Sequence, residues 1–273
     1  MSKQKIKNPN KFVLLSGANG GIGSKILSSL INANYNVIAL DLSNENIEDL
    51  GCEFIKCDIT NKSDLNNALK KVKEITNSIY AIVNTVGIFM MQSLIEGSEE
   101  DFRKIMEVNF FGIYSLNKMM FHLLEKEGRI INLTSEVARY SPQPFQGYYN
   151  ITKIALDAYN DALRREANYI GIKVIKIQSG SMKTNMLNSA NNEYDEMVNK
   201  SEHFKQPLTK FKYMMDRELT KQNDPVIIGN KVVKILNTKN PRLCYKVKNS
   251  KSLKLIGGLP EKMQDNIYKT VIK

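Results

Sequence analysis

Phe12-Val13-Leu14-Leu15-Ser16-Gly17-Ala18-Asn19-Gly20-Gly21-Ile22-Gly23 is the stretch on which the fold turns. An apolar run stops at Ser16, four glycines crowd into residues 17–23, and an apolar-periodic stretch then continues to Ala33. A strand that feeds a helix through a glycine turn opens a dinucleotide-binding sheet. Gly17 permits the tight turn, Gly21 lets backbone approach a pyrophosphate, and Gly23 lets the helix lie close on the sheet. The helix start then offers its free N–H groups and dipole to the phosphates. Asn19, Gly20 and Ile22 complete this first part of the candidate cofactor site.

Working outward, apolar runs bounded by turn signals leave room for a helix between each pair. Strands are expected at Phe12–Leu15, Asn36–Leu40, Glu53–Ile55, Ile79–Asn84, Arg129–Leu133, Ile172–Ile177 and Arg242–Val247. Helices are expected at Gly21–Ala33, Leu65–Ile75, Asp101–Leu124, Gly147–Tyr169 and Pro225–Leu236. Alternation of this kind builds an α/β, Rossmann-like, doubly wound parallel sheet with helices on both faces. Near-continuous apolar strands such as Val13-Leu14-Leu15 suit burial on both sides. No linker, repeat or low-complexity tract divides residues 1–273, so one domain is expected. From about 186 to 223 the chain turns polar and helix-prone with no strand. A surface excursion fits that stretch; a substrate lid fits it better, because it follows the last cofactor motif.

The bulk numbers narrow the class. Hydrophobic residues make up 42% of 273, enough for a large core and too many for a disordered chain. No apolar run approaches about 18 residues, so no membrane span is expected. The basic start carries no apolar stretch before Phe12 and does not read as a secretory signal. Cys52, Cys57 and Cys244 are too few for a disulfide framework and fit a reducing cytoplasm; Cys52 and Cys57 flank an expected strand and read as packing residues. His122 and His203 have no Cys/His cluster beside them, so no metal is expected. The net charge of +11 comes from scattered lysines, a solvated exterior more than a nucleic-acid surface.

Asp41 stands just past the second expected strand, roughly 20 residues beyond the glycine turn, where a carboxylate accepts hydrogen bonds from a ribose diol. It would repel a 2′-phosphate, and no Arg or Lys directly follows to receive one. NAD is therefore expected over NADP, with Leu42 beside it. Asp58, next to Ile59, could take the adenine amino group or cap the helix that follows. Far downstream, Tyr149 and Lys153 are i and i+4 on an expected helix, so a phenol and an ammonium share one face. An ammonium beside a phenol favours the phenolate. Tyr148 would meet only Thr152 at that spacing.

Gly17, Gly21 and Gly23 together with Tyr149 and Lys153 resemble the short-chain dehydrogenase/reductase family. Further motifs fall in order: Asn84-Thr85-Val86-Gly87, Asn109 within Val108-Asn109-Phe110, Ser135 within Asn132-Leu133-Thr134-Ser135, and Gly180 through Thr184. The likeness runs from Phe12 to Thr184 and more loosely to Val247. Ser16, Thr152, Ser179 and Met182 depart from the usual residues. The Ser135-to-Tyr149 interval is one residue longer than usual, with Thr134 as a neighbouring hydroxyl. The resemblance implies an oxidoreductase interconverting a secondary alcohol and a ketone. Tyr149 would be the acid/base, Lys153 would lower its pKa and hold the nicotinamide ribose, and Ser135 would hold the substrate oxygen. Asn109 would support a water linking Lys153 to solvent. Asn84, Gly87, Gly180, Met182 and Thr184 would join the cofactor site. It also implies a homodimer or homotetramer built on the two long helices.

Phe89, Met90, Met91, Tyr140, Pro142, Pro144, Phe145, Met182, Met186 and Leu187 neighbour these motifs. Their mostly apolar character favours a hydrophobic ketone or alcohol (steroid-, retinoid-, acyl- or polyketide-like) over a sugar. The basic tail at about 248–273 is expected to pack on the sheet edge rather than lie on a membrane. A dinucleotide-sensing regulator without catalysis is the competing reading, but it gives Ser135, Tyr149 and Lys153 no joint purpose.

Overall fold

The computed structural model describes residues 11–184, 194–219 and 222–272. Seven parallel strands form one sheet in the order β3-β2-β1-β4-β5-β6-β7. They are β1 (Phe12–Ser16), β2 (Asn36–Asp41), β3 (Glu53–Lys56), β4 (Ile79–Asn84), β5 (Leu124–Ser135), β6 (Lys173–Ser179) and β7 (Cys244–Val247). Strand order reverses between β1 and β4, and a crevice at such a switch point is where doubly wound sheets bind ligands.

Alternation within each strand explains the continuous apolar runs. Val13 and Leu15 of β1 enter one core with α1 (Gly23–Asn32) and α8 (Val226–Leu236), while Leu14 enters the other. That second core packs under α2 (Lys62–Ile75), α4 (Gly112–Met120) and α5 (Gly147–Asn168). Val37/Ile38 and Ala81/Ile82 divide between the two faces in the same way. A period of two with apolar residues at both phases is what two-sided burial requires.

Several asparagines have an internal task that composition did not suggest. Ser16 Oγ donates to Asn84 Oδ1 at 2.9 Å, and Asn84 Nδ2 donates to Asn117 and Asn132, each at 2.8 Å. Asn132 in turn donates to Asn160 Oδ1 at 3.0 Å. This buried chain ties β1, β4 and β5 to α4 and α5, and low local dielectric strengthens each link.

The helix expected over Asp101–Leu124 is interrupted. It comprises α3 (Glu99–Met106), one π turn (Glu107–Phe111) and α4, and Leu124 already belongs to β5. The wide turn carries Asn109, consistent with the placing of such bulges at functional positions.

The expected lid falls partly outside the described residues, Met186 and Leu187 among them. Its described parts are α6 (194–200) and α7 (Lys205–Leu219). Tyr194, Met197, Leu208 and Phe211 form a cluster with Met91 and with Ile272 of α10 (Glu261–Ile272). The tail, expected on the sheet edge, packs its α10 on α7 instead, while α9 (Lys251–Ile256) lies against the turn after β5, with Ser250 N–H on Glu136 and Gly257 beside Tyr140. No helix among the described residues is long and apolar enough to cross a membrane.

Candidate active site

The site grows from the carboxyl ends of β1, β4, β5 and β6. After β1, Gly17 adopts φ +75°, and a Cβ there would stand 2.8 Å from Val86 N. A Cβ on Gly23 would fall 1.8 Å from Gly17 O, and one on Gly21 2.8 Å from the Thr184 side chain. The glycine turn and the segment after β6 thus face each other across a narrow slot. α1 opens there with no side-chain cap and no acidic residue in its first turn, leaving N–H groups for an anion.

Asp41 receives the Asn19 N–H (2.8 Å) on one oxygen and the Leu42 N–H (2.7 Å) on the other. Asn19 also bonds Ser43 and Asn46, which fastens the glycine turn to the loop after β2. The Leu42 side chain is exposed. Asp58 Oδ1 takes the N–H and hydroxyl of Thr60, whereas Asn61 caps α2, so the capping alternative falls to Asn61.

Three expected cofactor residues turn their side chains elsewhere. Asn84 is committed to the buried amide chain, Ile59 packs in the core under Gly112, and Met182 is buried in the α1/α8 core. Any contact they make with a dinucleotide would be through backbone. The expected apolar lining divides as well. Met90 packs with Ile105 and Tyr148, Met91 joins the cluster of α6, α7 and α10, and Tyr140 lies against Gly257. Phe89 stays at the site, its ring edge-on to Tyr149 at 4.9 Å. Pro142, Pro144 and Phe145 line a groove of about 800 Å³ shared with Phe204, Tyr268 and Ile272.

Ser135 ends β5 and its hydroxyl hydrogen-bonds the Tyr149 phenol. Lys153 Nζ stands 5.6 Å from the Tyr149 ring centroid. The same Nζ lies 3.1 Å from where a Cβ on Gly87 would be. Asn109 is fully buried; it accepts the Ile88 N–H at 2.8 Å and donates to Ile88 O and to Thr152. The neighbouring hydroxyls separate. Tyr148 donates to Ser98 O at 2.8 Å and packs on Phe102, and Thr134 bonds Asp157. Both turn away from the group formed by Ser135, Tyr149 and Lys153.

The electrostatics correct one expectation. Burial pushes the Tyr149 phenol up to about 12, with the Ser135 hydrogen bond pulling it back and the Glu136 carboxylate pushing it further. Burial also lowers Lys153 to about 8. Burial is the largest influence on the phenol, which therefore rests protonated.

Two features escaped the sequence reading. Glu136, directly after Ser135, is buried, and a lone carboxylate at the end of an apolar strand was the available signal. Asp157, one turn beyond Lys153, holds Lys176 at 2.5 Å together with Thr134 and Gln178, locking α5 to β5 and β6.

Residues 11–195 match the sequence model of the family described as short chain dehydrogenase. The chain belongs to that family. Within it, the NADPH-dependent 1-acyldihydroxyacetone phosphate reductase of Schizosaccharomyces pombe is 33% identical over 180 residues, 64% of this chain and 60% of that one. The 17-beta-hydroxysteroid dehydrogenase type 6 of Rattus norvegicus is 32% identical over 187 residues, 65% and 58% of the two chains. The match thus spans about three-fifths of the length of these relatives. The 3-ketodihydrosphingosine reductase of Bacteroides thetaiotaomicron is 25% identical over 240 residues, 87% of each chain. A short-chain dehydrogenase from Streptomyces avermitilis superposes with TM-score 0.74 at 20% identity over 95% of each chain, a likeness of fold.

Proposed function

We propose that this short-chain dehydrogenase interconverts a ketone and a secondary alcohol on an apolar substrate with a nicotinamide dinucleotide. The observation that carries the reading is the Ser135 hydroxyl bonded to the Tyr149 phenol, with Lys153 one turn along α5 and Gly87 against its Nζ. The uncapped start of α1, the glycines no side chain could replace, and the Asp41 carboxylate fit the dinucleotide. When bound, it would supply or accept the hydride at the substrate carbon. Ser135 orients the substrate oxygen and Tyr149 gives that oxygen its proton. Lys153, ammonium at pH 7 and increasingly neutral above about 8, returns the proton to the phenol. Asn109 keeps the turn beside Lys153 in place through its bonds to Ile88.

An apolar substrate is supported by Phe89 at the phenol and by the groove lined by Pro142, Pro144 and Phe145. Relatives named for acyl, steroid and sphingoid substrates point the same way. The test is NADH oxidation against a panel of carbonyls. Long-chain and polycyclic ketones are expected to turn over at least tenfold better in kcat/KM than phosphosugars; the reverse order would overturn the substrate class.

For the cofactor, Asp41 supports NAD, although one relative is named NADPH-dependent. Titration is expected to show NADH binding more tightly than NADPH. Asp41→Ser should narrow the gap by about tenfold, the worth of one charge–phosphate repulsion near the surface. Tighter NADPH binding by the unaltered protein would reverse the assignment. A homodimer or homotetramer through α4 and α5 remains part of the proposal, supported by exposed Phe111 and Tyr114. The cytoplasm is the proposed compartment on the three free thiols; burial raises Cys57 to about 12, which makes it inert.

A further inference from the structure

Phe145 is the one aromatic among the described residues whose backbone is left-handed, at φ +61°. That conformation is unfavourable for a bulky side chain and persists only where the surroundings over-determine it. Here they do. Phe145 O accepts the Gln92 N–H at 2.9 Å, which ties the loop before α5 to the loop after β4. Its ring meets Phe204 and Phe211 edge-on, with centroids 5.6 and 5.8 Å away. Phe211 is fully buried in the cluster of α6, α7 and α10, whereas Phe145 is only half-buried. Its open side lines the groove of about 800 Å³, together with Tyr268 and Ile272 of α10. Gln143, two residues earlier, hydrogen-bonds the Tyr268 phenol and so fastens this loop to α10.

The groove lies close to the reacting group. Phe145 and Tyr149 are four residues apart, so their α-carbons are separated by at most about 14 Å. Phe89, edge-on to Tyr149 at 4.9 Å, packs against the same cluster as Phe145. From this geometry we infer that Phe145 is a specificity-determining residue: its ring, held by the strained backbone, limits the width of the apolar body that the groove accepts beyond the carbonyl. The inference rests on the functional reading above and deepens it to a size class. A ring backed by Phe204 and by fully buried Phe211 has no free space to move into. A slender alkyl chain can lie along it, whereas a fused polycycle meets it. Straight-chain ketones are therefore preferred over polycyclic ones.

The test compares Phe145→Ala, Phe145→Gly and Phe145→Leu with the wild type in the full chain. Butan-2-one, undecan-2-one and a steroid ketone are reduced at saturating reduced nucleotide. In Phe145→Ala the ratio of kcat/KM for the steroid over undecan-2-one should rise at least about tenfold, the scale on which an apolar pocket discriminates by size. The change should fall in KM. Butan-2-one is too short to reach the ring and should stay within about threefold of the wild type. Glycine should repeat the shift seen with alanine. It also accepts φ +61° without strain, so Phe145→Gly should unfold at a higher denaturant concentration than Phe145→Ala. Should neither of these two fold, Phe145→Leu decides, with a rise of at least about threefold in the same ratio. An unchanged ratio, an equal loss for all three ketones, or coincident unfolding of the alanine and glycine variants would overturn the inference.

Should the wild type reduce none of the three, the functional reading fails on its own account. The inference is then decided by fluorescence titration with a naphthyl ketone dye. Binding at least about fivefold tighter in Phe145→Ala than in the wild type supports it. Equal affinity, or no binding by either protein, sinks it.

Discussion

Tyr149→Phe is expected to lower ketone reduction by roughly three orders of magnitude, within the span seen when a positioned general acid is removed. Nucleotide affinity should change by less than about threefold. The phenylalanine ring keeps the edge-on contact with Phe89 at 4.9 Å, so local packing is retained. What disappears is the hydroxyl that Ser135 bonds and the only proton donor held between Ser135 and Lys153 among the described residues. Steady-state kinetics with one ketone, paired with calorimetric titration of NADH, separates chemistry from binding. Turnover within tenfold of wild type would move the acid to another group. Tyr148, bonded to Ser98 O, is too far committed to replace it.

Gly23→Ala should abolish measurable nucleotide binding and cost about 3 kcal/mol or more in folding stability, the upper range for overpacking. The added methyl would stand 1.8 Å from Gly17 O and 2.7 Å from Gly17 C, both backbone atoms that no rotamer change can move. Relief requires α1 to lift from β1, and that displaces the N–H groups facing the slot. Gly20→Ala serves as the control, since its nearest contact is Gly17 O at 3.3 Å. Chemical denaturation and NADH titration of the two variants should diverge clearly. Equal behaviour would mean that the turn is slack and the anion site lies elsewhere.

The sequence disclosed most about places where local spacing dictates geometry. Alternation in Val13-Leu14-Leu15, the interval between Gly17, Gly21 and Gly23, and the single turn from Tyr149 to Lys153 are short-range facts. The structure keeps each of them at the expected position. Contacts between distant segments were hidden. Met90 and Met91 are adjacent but enter different clusters, because one points under α3 and the other toward α7. The pairing of Asn84 with Asn117 and Asn132 and the bond from Ser250 to Glu136 join residues far apart in the chain. Asn109 sat within an unbroken helical pattern, and nothing in its neighbours' polarity marks the extra residue of a π turn. The upward shift of the phenol was hidden for a related reason: spacing reveals a neighbouring charge, whereas desolvation depends on everything packed around the group.

The small hydrophobic nucleus around α7 is borrowed from three parts of the chain. Tyr194, Leu208 and Phe211 come from α6 and α7, Met91 from the loop after β4, and Ile272 from α10. None of these pieces can shed its neighbours without wetting aromatic rings that water now never reaches. Any displacement of α7 would therefore carry α10 with it, because peeling one helix from the other would open that shared nucleus to water.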